Sequence, residues 1–172
     1  ANNKLDADTA HLSEAQTFTG VKQINKRKFP ITDASTHGEA VGDIIYIGTN
    51  DGGGGGTATV AGKIYYYDTD GSWVLAQADD ADDATGMLAV ALGTDPDGDG
   101  MLLRGTVTLA LEIGGTEALG STLYLDDAQA GGATITVPAS NNDIARVIGY
   151  ALSTDNDQIY FNPDGAWVEV NV

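Results

Sequence analysis

The stretch GMLAVALGTDPDGDGMLLRGTVTL, Gly86 to Leu109, consists of two strand-forming segments separated by a polar loop. GMLAVALG is nearly all apolar and small, which is typical of a strand covered on both faces. In the second segment, apolar residues at every second position from Val107 to Leu111 alternate with threonine or alanine. Because successive side chains of a strand point to opposite faces, this alternation predicts a strand with one buried face.

Short β-rich segments bounded by glycine, aspartate, asparagine or proline continue along the chain from Val41 onward. Ten such segments and no helical pattern predict an all-β fold, a compact β-barrel or sandwich of about ten short strands with an extended N-terminal arm. We expect the arm over residues 1–40 and the β head over 41–172, since 172 residues suit a single domain. Besides the two segments above, the strand candidates are VGDIIYIG, GKIYYYD, SWVLAQA, STLYLD, ATITV, IARVIGYAL, DQIYFN and AWVEVNV.

Charge separates the arm from the head. Residues 1–30 hold five basic and three acidic side chains, a balance of +2, whereas residues 31–172 hold three basic and 22 acidic ones, a balance of −19. Such an acidic head repels phosphate backbones, so we expect no nucleic-acid binding. No apolar run approaches the roughly 20 residues of a membrane span, so we expect no membrane insertion. We also expect no signal peptide, because the start ANNKLDADTAHLSE is polar.

An internal repeat links KIYYYDTDGSWV (Lys63 to Val74) with QIYFNPDGAWV (Gln158 to Val168). Each reads as a strand, a turn containing Asp-Gly and a second strand, so the repeat predicts two equivalent hairpins. Trp73 and Trp167 then occupy equivalent places, either as packing residues or as exposed platforms for sugars. In the second case the residues that contact a receptor are Tyr65, Tyr66, Tyr67 and Trp73.

The loop DPDGDG, Asp95 to Gly100, begins like a calcium-binding loop, with carboxylates at Asp95, Asp97 and Asp99. An EF-hand needs a glutamate at position twelve, and that position is a threonine inside a predicted strand. Two interpretations stay open. The segment is a plain hairpin loop, or it is a weak calcium site formed by the three aspartates; no other cofactor is expected.

Catalytic patterns are weak, so we expect the chain not to be an enzyme. The only histidines, His11 and His37, precede the β head, and the chain has no cysteine. The run Gly52 to Gly56 lacks the Gly-Lys-Ser/Thr of a phosphate loop. Two arginines of the acidic head, Arg104 and Arg146, lie within predicted strands. Each either pairs with a carboxylate or lines a subunit contact.

Four stretches carry a resemblance to a known family: AQTFTGVKQI, GDIIYIG, the opening GMLAVALGTDPDGDGMLLRGTVTL, and IARVIGYALSTDNDQIYFNPDGAWVEV. They resemble bacteriophage virion proteins of the tail-fibre or receptor-binding family found in marine and cyanobacterial phages. The likeness covers roughly Ala15 to the C-terminus, interrupted by loops such as Gly52 to Gly56 and Asp79 to Asp83. The head is also similar to the small β-barrel capsid-decoration proteins of tailed phages.

The resemblance implies a structural component of the virion, which is an extracellular particle, and a homotrimer that contacts other virion proteins. The leading expectation is a tail-fibre head that attaches to a host cell-surface receptor by non-covalent binding. The alternatives are a capsid decoration (cement) protein that grips the capsid surface through its arm, and a secreted adhesin or filament subunit. Loops on a rigid β scaffold supply contact residues, and the candidates are Thr49 to Thr59, Ala78 to Ala84, Asp95 to Asp99 and Ser153 to Asp157.

Overall fold

The computed structural model describes residues 36–51, 56–154 and 157–172. The predicted arm, including Lys22 to Lys28, lies almost wholly outside these residues. The described part of the chain confirms the all-β prediction, with twelve strands and one four-residue helix, α1 (Ala81–Ala84). No helix among these residues is long and apolar enough to cross a membrane. The strands are β1 (Ala40–Ile45), β2 (Thr49–Asn50), β3 (Ile64–Tyr67), β4 (Ser72–Leu75), β5 (Leu88–Ala91), β6 (Met101–Thr108), β7 (Thr122–Leu125), β8 (Ala133–Thr134), β9 (Ile144–Ala145), β10 (Val147–Ala151), β11 (Gln158–Phe161) and β12 (Val168–Glu169).

Ten strands form one mixed sheet in the order β2-β4-β3-β5-β6-β11-β10-β7-β8, and β1 pairs with β6 outside this path. The remaining strands, β9 and β12, form a two-stranded sheet. The ends of the path, β2 and β8, do not pair with each other, so the sheet is open. Of the two predicted architectures, the sandwich therefore fits the structure and the closed barrel does not.

Strand β6 connects the two halves of the sheet. It pairs with β5 at its start, with β11 along Gly105 to Thr108, and with β1 over most of its length. Gly42 of β1 lies opposite Gly105. A Cβ at Gly42 would lie 2.0 Å from the Arg104 carbonyl oxygen, and one at Gly105 would lie 2.2 Å from the Val41 carbonyl oxygen. Only glycine fits where these two strands approach, because any other residue would collide with backbone.

The main hydrophobic core lies between the two halves of the sheet. Leu88 and Val90 of β5 enter it from one half, and side chains such as Ile148 and Phe161 enter it from the other. The other β5 residues, Ala89 and Ala91, face a second cluster on the opposite side. All four residues of β5 are buried, which confirms the prediction of a strand covered on both faces.

The second cluster, which contains Tyr65, Trp73 and Met101, is covered by the chain segment between β1 and β2. Ile45 at the end of β1 and Ile47 of that segment pack against it. The Trp73 indole Nε1 donates a hydrogen bond to the Ile47 carbonyl oxygen at 2.9 Å, and the Trp73 side chain is fully buried. Trp73 is therefore a packing residue that ties this covering segment to the sheet.

One of the two predicted hairpins forms and the other does not. Strands β3 and β4 pair across a turn in which Gly71 has φ +85°, as the Asp-Gly signal predicts. After β11 the chain instead continues beside β10, with Asn162 N bonded to the Ile148 carbonyl, and β12 pairs with β9. Trp167 is consequently 42% exposed whereas Trp73 is buried, so the prediction of equivalent tryptophans is wrong.

The two arginines of the head have different surroundings. Arg104 faces Asp43 across the β1–β6 pair, and their charged groups lie 3.5 Å apart with both side chains largely exposed. Arg146 is 6% exposed, and its guanidinium donates to the carbonyls of Ala84, Gly86 and Asp164 at 2.6, 2.7 and 2.9 Å. The carboxylate-pair interpretation holds for Arg104, whereas the hydrogen-bond partners of Arg146 are mainly backbone oxygens.

Replacing Arg146 by methionine should destabilise the head by about 3 to 5 kcal/mol, because it leaves three carbonyls without their donor. The matched change Arg104→Met removes one exposed ion pair and should cost less than about 1 kcal/mol. Chemical denaturation of both variants measures the difference. Equal losses would contradict the role assigned to Arg146.

Candidate functional site

An open cleft of about 600 Å³ separates the β3–β4 turn from the segment that contains α1. We call it the acidic cleft, because four of its lining residues are aspartates and none is basic. A second pocket, between β1, β6 and β11, has a volume of only about 10 Å³, which is room for no more than a water molecule. The acidic cleft is lined by Tyr66, Tyr67, Asp68, Thr69, Asp80, Asp82, Asp83, Thr85 and Gly86.

One wall of the acidic cleft is the short helix α1. The Asp80 carboxylate caps its first turn by accepting a hydrogen bond from Asp82 N at 2.9 Å, and Thr85 Oγ1 donates to the Ala81 carbonyl at 2.8 Å. Aspartate is a favoured residue at this capping position, and acids in the first turn suit the helix dipole. The sequence analysis treated the acidic run Asp79 to Asp83 as loop, and the capping aspartate was the signal for this turn.

The other wall is the turn between β3 and β4. Asp68 Oδ1 accepts a hydrogen bond from Thr69 N at 2.6 Å, and Asp70 Oδ1 accepts one from Ser72 N at 2.9 Å. The hydrogen bonds from Ser72 lower the pKa of Asp70. These bonds between side chains and neighbouring backbone amides fix the turn in one conformation. The carboxylate of Asp68 is thereby held at the edge of the cleft.

Tyr66 and Asp83, which both line the acidic cleft, are hydrogen-bonded to each other. Burial raises the pKa of the Tyr66 hydroxyl, and the neighbouring Asp83 raises it further. Burial also raises the pKa of Asp83, the hydrogen bond from Tyr66 lowers it, and the negative charges of Asp80, Asp79 and Asp82 raise it. The phenol therefore keeps its proton and donates a hydrogen bond to the Asp83 carboxylate.

The predicted aromatic contact residues do not share one environment. Tyr65 is 4% exposed and its hydroxyl accepts a hydrogen bond from Val60 N at 2.8 Å, and Trp73 is fully buried. Because Tyr65 and Trp73 do not face outward, neither side chain lies where a receptor could contact it, in contrast to the expectation from the sequence. Tyr66 and Tyr67 are half-buried and line the acidic cleft. Their contact with a receptor stays a prediction.

The aspartate loop connects the antiparallel strands β5 and β6, as the hairpin interpretation predicts. Its three carboxylates are exposed. Asp99 Oδ2 accepts hydrogen bonds from Thr94 N at 2.7 Å and Asp95 N at 3.0 Å, and Asp95 Oδ1 accepts one from Asp97 N at 3.2 Å. No group of three or more acidic or histidine side chains suited to a metal ion occurs in the described ranges. The calcium site stays untested.

A further acidic group was missed by the sequence analysis. Asp126 and Asp143 are 6% and 4% exposed, and each carboxylate accepts backbone hydrogen bonds within its own turn. Burial raises the pKa of the adjacent Asp127, and the charges of Asp143 and Asp126 raise it further. The group forms where two loops that are distant in sequence come together, so no local sequence pattern indicated it.

Comparisons of the chain with protein-family models, with curated proteins and with solved structures found no match.

The raised pKa of Asp83 predicts a pH-dependent effect of Asp83→Asn. A carboxyl whose pKa is raised by folding contributes stability at pH below its unfolded pKa of about 3.9, and that contribution disappears as the pH rises through the folded pKa. We therefore expect Asp83→Asn to raise the denaturation midpoint at pH 7 and to leave it nearly unchanged at pH 4. Asp97→Asn removes one charge outside the cleft and is the control. If both variants raised the denaturation midpoint equally, the effect would come from the change in net charge and not from the position of Asp83.

Calcium should change the stability of the head only slightly. Asp95 and Asp99 already accept backbone hydrogen bonds, and the residue at position twelve offers no carboxylate. A specific site at a hundredfold excess of ligand over its dissociation constant would contribute about 2.7 kcal/mol. We expect less, measured by thermal unfolding with calcium and with a chelator. A larger shift that Asp97→Asn abolishes would establish a calcium site.

Proposed function

We propose that the chain is a structural protein of a bacteriophage particle and that its β head attaches the particle to a host surface by non-covalent binding. The sequence resemblance supports this proposal, because stretches that carry it lie on the connected strands β1, β5, β6, β10 and β11. One observation favours attachment in particular. The acidic cleft is lined by the end of β3, the β3–β4 turn, and α1 with its flanking residues, and many β scaffolds present binding residues on such connecting segments.

The acidic cleft has the chemistry of a site for sugars. Tyr66 and Tyr67 line the cleft, where an aromatic ring can pack on the C–H face of a sugar, and carboxylates can accept hydrogen bonds from its hydroxyl groups. Binding sites for small molecules combine these two features, apolar surface with a few polar groups. The negative charge favours a neutral or cationic receptor. An anionic lipopolysaccharide would need divalent cations between its phosphates and the cleft.

The proposal assigns binding and no catalysis to the head. Among the described residues the one histidine is His37, which is exposed and does not line the cleft. The proposal also includes assembly as a homotrimer with other virion proteins. A trimer would present three copies of the cleft, and simultaneous contacts strengthen binding through effective concentration.

Cell binding tests the proposal. The labelled 172-residue chain should bind susceptible host cells in a saturable way, and Asp82→Ala should weaken this binding about tenfold, the loss expected for one hydrogen bond of about 1.4 kcal/mol. Glu112→Ala, an exposed acidic residue outside the cleft, is the charge-matched control and should bind like the unchanged chain.

Two other results would replace the proposal. Saturable binding to assembled capsids, with none to host cells, would identify a decoration protein. Release of sugar fragments from host polysaccharide would identify an enzyme.

A further inference from the structure

The acidic cleft has no cationic partner among the described residues. The three basic residues of the head are Lys63, which is half-buried and outside the cleft lining, Arg104, which pairs with Asp43, and Arg146, which is buried against backbone carbonyls. Four carboxylates therefore share one concave surface whose described lining contains no basic side chain. Burial is the main cause of the raised pKa of Asp83, and the charges of Asp80, Asp79 and Asp82 raise that pKa further.

The densest positive charge of the chain lies outside the described residues. Four of its eight basic side chains occur within the seven positions from Lys22 to Lys28, in the sequence KQINKRK. We call this the basic segment. It also contains Ile24, and an apolar residue among bases suits a cleft that combines carboxylates with tyrosine rings. Charge and composition are therefore complementary between the basic segment and the acidic cleft.

The connecting chain is long enough for the two to meet within one molecule. Gly38 packs against Gly62, where a Cβ built on Gly38 would lie 3.2 Å from the Gly62 nitrogen. From Gly62 the chain passes through β3 to Asp68 at the cleft, a path of six residues or at most about 20 Å. Gly38 lies ten positions after Lys28, and ten extended residues span up to about 35 Å.

We propose that the acidic cleft is a docking site for the basic segment, Lys22 to Lys28, of the same chain. A partner within the chain is favoured over a second copy, because a short tether gives an effective concentration in the millimolar range. The docking does not depend on the proposed function.

Distance measurements between two spin labels test the proposal. The chain has no cysteine, so the substitutions Asn25→Cys in the basic segment and Met87→Cys beside the cleft provide two unique labelling sites without changing charge. Met87 is 40% exposed and does not line the cleft. Doubly labelled 172-residue chains are diluted with unlabelled chains, so that spin pairs within one molecule dominate. We expect a narrow short-distance component at low salt, and its loss in 1 M salt, where the Debye length is about 3 Å.

Charge variants identify the groups responsible. Asp82→Asn with Asp83→Asn should abolish the short-distance component, whereas Asp97→Asn with Glu112→Gln, which removes two charges outside the cleft, should preserve it. Changing Lys26, Arg27 and Lys28 to glutamine should also abolish it, and these changes leave the head untouched.

Several results would overturn the proposal. One is a broad distribution of label-to-label distances in the unchanged chain. Another is a short-distance component that persists both in the cleft variant and in the variant of the basic segment. A third is a short-distance component found only between singly labelled chains, which would place the contact between copies. The measurement uses no host cell, so its outcome is separate from that of the cell-binding experiment.

Discussion

The close approach of β1 and β6 at Gly42 and Gly105 is the constraint on which the rest of the fold depends. Strand β6 carries β1 along most of its length, β5 at its start and β11 at its end, so both halves of the sheet are attached to it. A side chain at either glycine would push β1 away. The segment that follows β1 covers Trp73 and the second hydrophobic cluster, and its position would shift with β1.

The buried Arg146 holds two loops together, as β6 holds the two halves of the sheet together. Its guanidinium joins the end of α1, through Ala84 and Gly86, to the turn at Asp164 near the C-terminus. The wall of the acidic cleft formed by α1 is therefore fixed by a residue that is remote in sequence. A planar group with five N–H donors can satisfy several carbonyls at once, which lysine cannot do.

Much of the fold followed from local pattern, whereas the site did so only in part. Full burial of GMLAVALG, the β3–β4 hairpin and the hairpin role of the aspartate loop each reflect signals within a few residues. The second hairpin failed because its strands found partners elsewhere, β10 and β9. Of the four aromatic candidates, Tyr66 and Tyr67 reach the cleft and Tyr65 and Trp73 are buried. Alternation along a strand shows which residues share a face of the sheet, but the sequence alone does not show which other segments cover each face.

The sequence by itself determined the all-β class, the acidic head and the separation of positive charge into the basic segment, because composition and period-two patterning depend on no partner. The tertiary structure decided which tryptophan is buried, which arginine is paired, and that Asp68 and Asp83 share a cleft with Tyr66. These outcomes require loops that are distant in sequence to meet. Which loops meet is set by the order of strands around β6, and local patterns carry no information about that order.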